Sequence, residues 1–223
     1  MDMMEAIYQR KSIRKFKSDP VSREVLTKVL EAACRAPSAL NTQPWEFMVM
    51  TGEGLDRLRA ANVRKLNQKE PYHPEHPLIS WTNDTIYRTR QVELAKELFK
   101  LMDIPREDKE KRAAWLERGF RFFDAPVAIF ILTDKSLSCD GPLLDVGAVM
   151  QTLCLAALHF GLGTCIEDQG VGYPEGVREI AQIPENKRIV MAIAVGYPDW
   201  DFPANHITTD RESIEHNTHW IGF

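Results

Sequence analysis

Residues 144–170 read LDVGAVMQTLCLAALHFGLGTCIEDQG. The spacing predicts a helix over Leu144–Phe160 that is apolar on nearly every side. Such a helix belongs in the middle of a fold rather than on its surface. Gly161 and Gly163 offer the left-handed backbone that ends a helix, and Thr164-Cys165-Ile166 then opens a strand. Asp145, Gln151 and His159 interrupt the apolar run too often for a membrane span, so a buried helix is the reading.

On either side of this stretch the elements are shorter. Asp2 can cap a helix running to about Arg10, and Ser22 caps another whose Val25, Val29, Leu30 and Ala33 follow helical spacing. Trp45–Met50 reads as a strand, Gly54 to about Gln68 as a helix, Val127–Leu132 as a buried strand behind Asp124-Ala125-Pro126. Glu175–Ala181 is a short helix and Ile189–Gly196 a strand. Helices interleaved with few strands predict an α+β sandwich of helices around one mixed or antiparallel sheet. Residues 1–223 form a single domain on this reading, with one excursion at about 69–121. That excursion begins polar and proline-rich and continues as two charged helices broken at Ile104-Pro105. Segments of this kind often cover a site.

With 223 residues, 44% of them hydrophobic and 27% charged, the chain can build a core without disulfides. A net charge of −4 argues against a general nucleic-acid binder, which needs a basic surplus. The cysteines, Cys34, Cys139, Cys154 and Cys165, form no C-x-x-C pair. Cys34 and Cys154 read as small core residues, and a reduced, cytoplasmic setting follows. The N-terminus lacks the apolar region of a signal peptide, and no membrane association is expected.

Three groups of residues carry chemistry. In an extended chain Arg10, Ser12 and Arg14 point to one face, where guanidinium forks and a hydroxyl match phosphate oxygens; the alternative is a solvated basic strand. Pro37 and Pro44 bracket a loop whose Ser38, Asn41 and Gln43 offer donors and acceptors to a heterocycle, or simply form a turn. Glu167 and Asp168 follow a strand and lie either in a cleft or in an ordinary turn. His73, Glu75 and His76 have no second cluster at ligand spacing, so no metal is expected.

Together, R-x-S-x-R, A-P-S-A-x-N-x-Q-P-W-x-F, D-x-G-x-x-x-Q-x-x-x-L-A-A-x-x-x-G-L-G-T, A-x-G-Y-P and a late Arg211 resemble the FMN-dependent nitroreductase family, from about Met4 to the end. Only about Lys69–Arg121 matches loosely. Residues Phe120–Val127 look like the branch that contains nitrobenzoate-type reductases. The resemblance implies the nitroreductase fold, an intertwined homodimer, and FMN reduced by NADH or NADPH. A small electron-poor acceptor, a nitroaromatic or quinone, would reoxidise it in a ping-pong cycle. It implies that Arg10, Lys11, Ser12 and Arg14 hold the phosphate and ribityl end, with Arg211 closing that site. Pro37, Ser38, Ala39 and Asn41 would reach the flavin partly across the interface. A backbone N–H at Glu167-Asp168 would face flavin N5, and Glu-Asp stands where the family commonly carries Glu-Gly or a glutamine. Arg88, Tyr87 and Trp81 are candidates for the acceptor pocket. The alternatives are a reductive dehalogenase or other flavin chemistry on the same scaffold, or a non-enzymatic flavin-binding redox module.

Overall fold

A computed structural model describes residues 2–76 and 80–223. The sheet is built from β1 (Glu46–Thr51), β2 (Val127–Asp134), β3 (Gly163–Glu167) and β4 (Lys187–Gly196), in the order β1-β2-β4-β3. Every pairing among these strands is antiparallel. Of the two expected sheet types, the antiparallel one is therefore found. Among the described residues, the one parallel contact is the isolated bridge between Ser12 and Thr164, where the N-terminal segment runs beside β3.

β2 is buried along almost its whole length because both of its faces are covered. Ala128, Phe130 and Leu132 meet Leu55 and Leu58 of α3 (Gly52–Asn67) and Val177 of α7 (Pro174–Ala181). Val127, Ile129 and Ile131 meet Val29 of α2 (Arg23–Ala33) and Val149 and Leu153 of α6 (Leu143–His159). Period-two alternation on one strand thus serves two helical layers. α1 (Met3–Gln9) packs beside α6. α4 (Ile86–Leu101) and α5 (Lys109–Phe120) form the excursion. It docks through Leu94, Leu98 and Trp115 onto Phe202, Ala204 and Ile207. A last short helix, α8, spans Ile214–Asn217.

Two expectations need correction. α6 is not enclosed within the chain: it buries Val146, Val149, Leu153, Cys154 and Ala157, while Leu144 is 87% exposed. Its neighbour α1 leaves Met3, Met4, Ile7 and Tyr8 in solvent, Tyr8 at 80%. Cys34 is exposed at the C-cap of α2 rather than buried, although Cys154 is in the core. Gly161 takes the expected left-handed backbone, φ +71, but Gly163 is glycine for another reason. A Cβ there would sit 2.5 Å from Ile13 Cγ1 and 2.8 Å from Pro198 Cγ, so the N-terminal segment could not lie this close. No helix among the described residues is long and apolar enough to cross a membrane.

Candidate active site

A cavity of about 250 Å³ opens at the end of β3. Ser12 and Arg14 line one part of it, Glu167 and Asp168 another, and Trp115 and Leu116 of α5 close it from the excursion. The alternation read from sequence places Ser12 and Arg14 on this face and sends Ile13 into the core. A fully buried Asn205 fixes the backbone between them: its Oδ1 accepts from Arg14 N at 2.7 Å, and its Nδ2 donates to the carbonyls of Lys15 (2.8 Å) and Asp199 (2.7 Å). Arg118 of α5 donates to the Arg14 carbonyl at 2.7 Å. Neither residue is conspicuous in sequence, because each acts on main chain from far away along the chain.

After β3 the chain makes a short 3-10 turn over Gln169–Val171. The Glu167 carboxylate accepts from the Gly170 N–H at 2.8 Å through Oε2. Its Oε1 is buried with no hydrogen-bond partner among the described residues. Burial pushes this carboxyl well above its ordinary range. The Gly170 N–H opposes that, and the neighbouring Asp168 charge adds to it. Asn62, fully buried on α3, donates to the carbonyls of Gly170 (3.0 Å) and Phe120 (3.1 Å). Gln169 donates to the Leu116 carbonyl at 3.3 Å. A Cβ on Gly170 would stand 2.6 Å from Glu167 Oε1 and overlap the ring edge of Phe122. The turn is therefore locked from below, with its peptide groups beside the cavity.

The loop between Pro37 and Pro44 lies elsewhere. Its Ala39 N–H points at the Asp145 carboxylate at the start of α6 (3.2 Å). Ser38 Oγ accepts from Gln43 N at 3.0 Å. Leu40, Asn41 and Gln43 all have positive φ, and Leu40 is 99% exposed. This loop leads into β1 and the turn follows β3, on opposite edges of the sheet. Three strand spacings of about 4.8 Å separate those edges, about 14 Å in all.

A model of the nitroreductase family matches residues 7–197. The chain belongs to the nitroreductase family. It is 32% identical over 218 residues to a nitrobenzene nitroreductase of Ectopseudomonas oleovorans, covering 97% of this chain and 96% of the relative. It is 30% identical over 224 residues to a 4-nitrobenzoate reductase of Pseudomonas putida, covering 100% and 96%. Its structure matches the FMN-dependent nitroreductase NfnB of Mycobacterium smegmatis in complex with NADPH, at a TM-score of 0.90 and 26% identity over 99% of this chain and 100% of that one. The nitroreductase fold expected from sequence is thereby established.

Within that family fold, several expected residues are not gathered at the cavity. Arg10 and Lys11 do not line it. Arg211 lies in a separate cleft of about 690 Å³ against α4, where it donates to Thr209 Oγ1 at 2.8 Å and to the carbonyls of Thr209 and Asp210. Trp81 and Tyr87 stack on each other at 5.1 Å, both well exposed. Arg88 donates to Gln91 one turn along α4 at 2.7 Å. The histidine segment has ordinary partners: His73 meets Glu175 at 2.7 Å, and Glu75 forms a fork with Arg178 at 2.5 and 2.8 Å.

Proposed function

We propose that this chain is a cytoplasmic, homodimeric oxidoreductase that binds FMN, takes electrons from NADH or NADPH, and passes them to a nitroaromatic or a quinone. The observation that carries this reading is the convergence, in one cavity, of a cation and a hydroxyl with a locked turn of backbone. When bound, FMN supplies hydride acceptance and return. The residues fit such a group. Arg14 and Ser12 offer charge-assisted bonds to its phosphate and ribityl end. The peptide groups at Glu167-Asp168 offer donors to the isoalloxazine edge, and a backbone donor survives the change from Glu-Gly to Glu-Asp. Trp115 and Leu116 keep water from that edge. Burial raises the pKa of the Glu167 carboxyl, which disfavours negative charge beside a group that gains electrons.

A cavity of about 250 Å³ falls below the roughly 300–1,000 Å³ usual for ligand sites, so one chain supplies only part of the enclosure. Pro37, Ser38, Ala39 and Asn41 do not line that cavity; they lead into β1, the edge strand about 14 Å from β3 across the sheet. In a two-fold dimer that loop comes from the second copy. The bare apolar faces of α1 and α6, with Leu40 beside them, are the surface such a dimer would cover. Arg10, Lys11 and Arg211 are assigned to the outer phosphate site, and Trp81, Tyr87 and Arg88 to the acceptor wall, in that assembly.

The test is direct. Purified protein is heated, the released flavin is identified by chromatography, and loss of NADH or NADPH is followed with nitrobenzoate and with a benzoquinone. FMN and acceptor-dependent turnover are expected. Failure to take up FMN on reconstitution defeats the proposal, and bound FMN that neither nicotinamide reduces leaves a binding module.

A further inference from the structure

The turn that follows β3 is held from beneath by Glu167 and Asn62 and bonded to α5 through Gln169, and a further contact comes from the start of the excursion. Tyr72 donates its hydroxyl to the Asp168 carbonyl at 2.9 Å. Its ring lies so close to Gly172 that a Cβ there would overlap it. It packs edge-on against Phe120 at 6.0 Å and Tyr173 at 6.2 Å. Next along the chain, His73 N–H donates to the Gly172 carbonyl at 3.1 Å. The first residues of the excursion are thus seated on the same turn that lines the cavity.

We propose that Tyr72 is a positioning residue, a latch that ties the seating of the 69–121 excursion to the orientation of the Asp168–Gln169 peptide. The inference rests on the reading of the cavity as the flavin site. A carbonyl and the following N–H belong to one rigid peptide plane, so a donor that fixes the Asp168 oxygen also fixes where the Gln169 N–H points. The phenol is suited to this work. Burial, together with the Asp168 and Glu167 charges, raises its pKa, so it stays a donor across the working pH range. An acceptor that shifts the excursion on binding would disturb the latch, and with it the peptide that adjoins the Glu167-Asp168 backbone proposed to face the cofactor.

The experiment compares Tyr72→Phe, which keeps the ring, with Tyr72→Leu, which removes it. Amide hydrogen exchange at Asp168–Gly172 is measured in the apo and the FMN-loaded protein, together with the FMN dissociation constant. Loss of one hydrogen bond predicts exchange about fivefold faster in that turn for Tyr72→Phe, and FMN affinity weaker by a similar factor. Tyr72→Leu should do at least as much. If Tyr72→Phe matches the parent in both readouts while Tyr72→Leu does not, only the ring matters and the latch is overturned. If exchange is faster in the apo protein but FMN does not bind even to the parent chain, the latch stands and the flavin reading fails.

Discussion

Two connections at the same end of the sheet both read as short polar turns in sequence: 36–44, with its prolines and amides, and 168–172, with its glycines and an acid. In the folded chain they differ sharply. The turn after β3 is gripped by Glu167, Asn62, Tyr72 and Gln169, and a Cβ on Gly170 or Gly172 would overlap a neighbouring aromatic ring. The loop before β1 is strained at three residues, touches α6 through one Asp145 contact, and offers Leu40 wholly to solvent. One is complete inside the chain. The other holds an unfavourable backbone and an exposed leucine, features often found where a segment serves a ligand or a neighbour. The predictions below probe that contrast, from the largest expected effect on the folded chain to the smallest.

Gly170→Ala tests the gripped turn. Phe122 is fully buried and cannot swing away from the added methyl. Overpacking of this kind costs about 3 kcal/mol at its upper end, which for a chain of this size lowers Tm by roughly 6–12 °C. Calorimetry of the apo protein checks it, and an unchanged Tm would mean that the turn is looser than drawn.

Arg14→Ala tests the cavity itself. Asn205 binds the Arg14 backbone rather than its side chain, so folding should survive. A charge-assisted contact to phosphate stabilises by about 1.5–3 kcal/mol, so FMN affinity should fall roughly tenfold to a hundredfold. Titration of apo protein by flavin fluorescence decides whether the guanidinium faces the phosphate.

Glu167 sets a smaller, pH-dependent effect. Its folded pKa lies well above the ordinary 4.5, chiefly through burial. Asp168, Cys165 and the Tyr72 phenol face it, and none supplies a positive charge. The folded chain therefore keeps a proton that the unfolded chain releases. This stability is fully present below the unfolded pKa and is lost as pH rises through the interval up to the folded pKa, by at most about 1.4 kcal/mol per pH unit. Urea unfolding across that interval should show the decline, and Glu167→Gln should remove it. Parallel curves for parent and variant would mean that Glu167 is ionised in the fold.

Much of this was legible in the residues. The alternation of β2, the cap of α2 by Ser22 and the left-handed Gly161 follow from local chemistry. So does the sharing of one cavity by Ser12 and Arg14. What stayed hidden was long-range and backbone-directed. Asn62, Asn205 and Tyr72 bond to main-chain atoms about 60 to 190 positions away, and nothing around an asparagine or a tyrosine announces such a partner. The exposure of α6 was hidden for a different reason. An all-round apolar pattern says that a helix will be covered, not by which chain.

Leu40 is where that last distinction is tested, and within the single chain it should matter least. Its side chain touches little, so Leu40→Ala should move the stability of the isolated chain by no more than about 0.5 kcal/mol. The left-handed backbone is equally unfavourable for both residues, so strain cancels in the comparison. In a dimer the same side chain would be buried, and burying a leucine stabilises by about 1.5–3 kcal/mol. Dissociation should then become at least tenfold easier, with FMN lost along with the partner. Sedimentation of parent and variant at micromolar concentration, with flavin absorbance followed in the same cells, separates the possibilities. A parent chain that sediments as a monomer with stoichiometric FMN would show that the loop before β1 serves no neighbour. Its three left-handed residues would then need another cause.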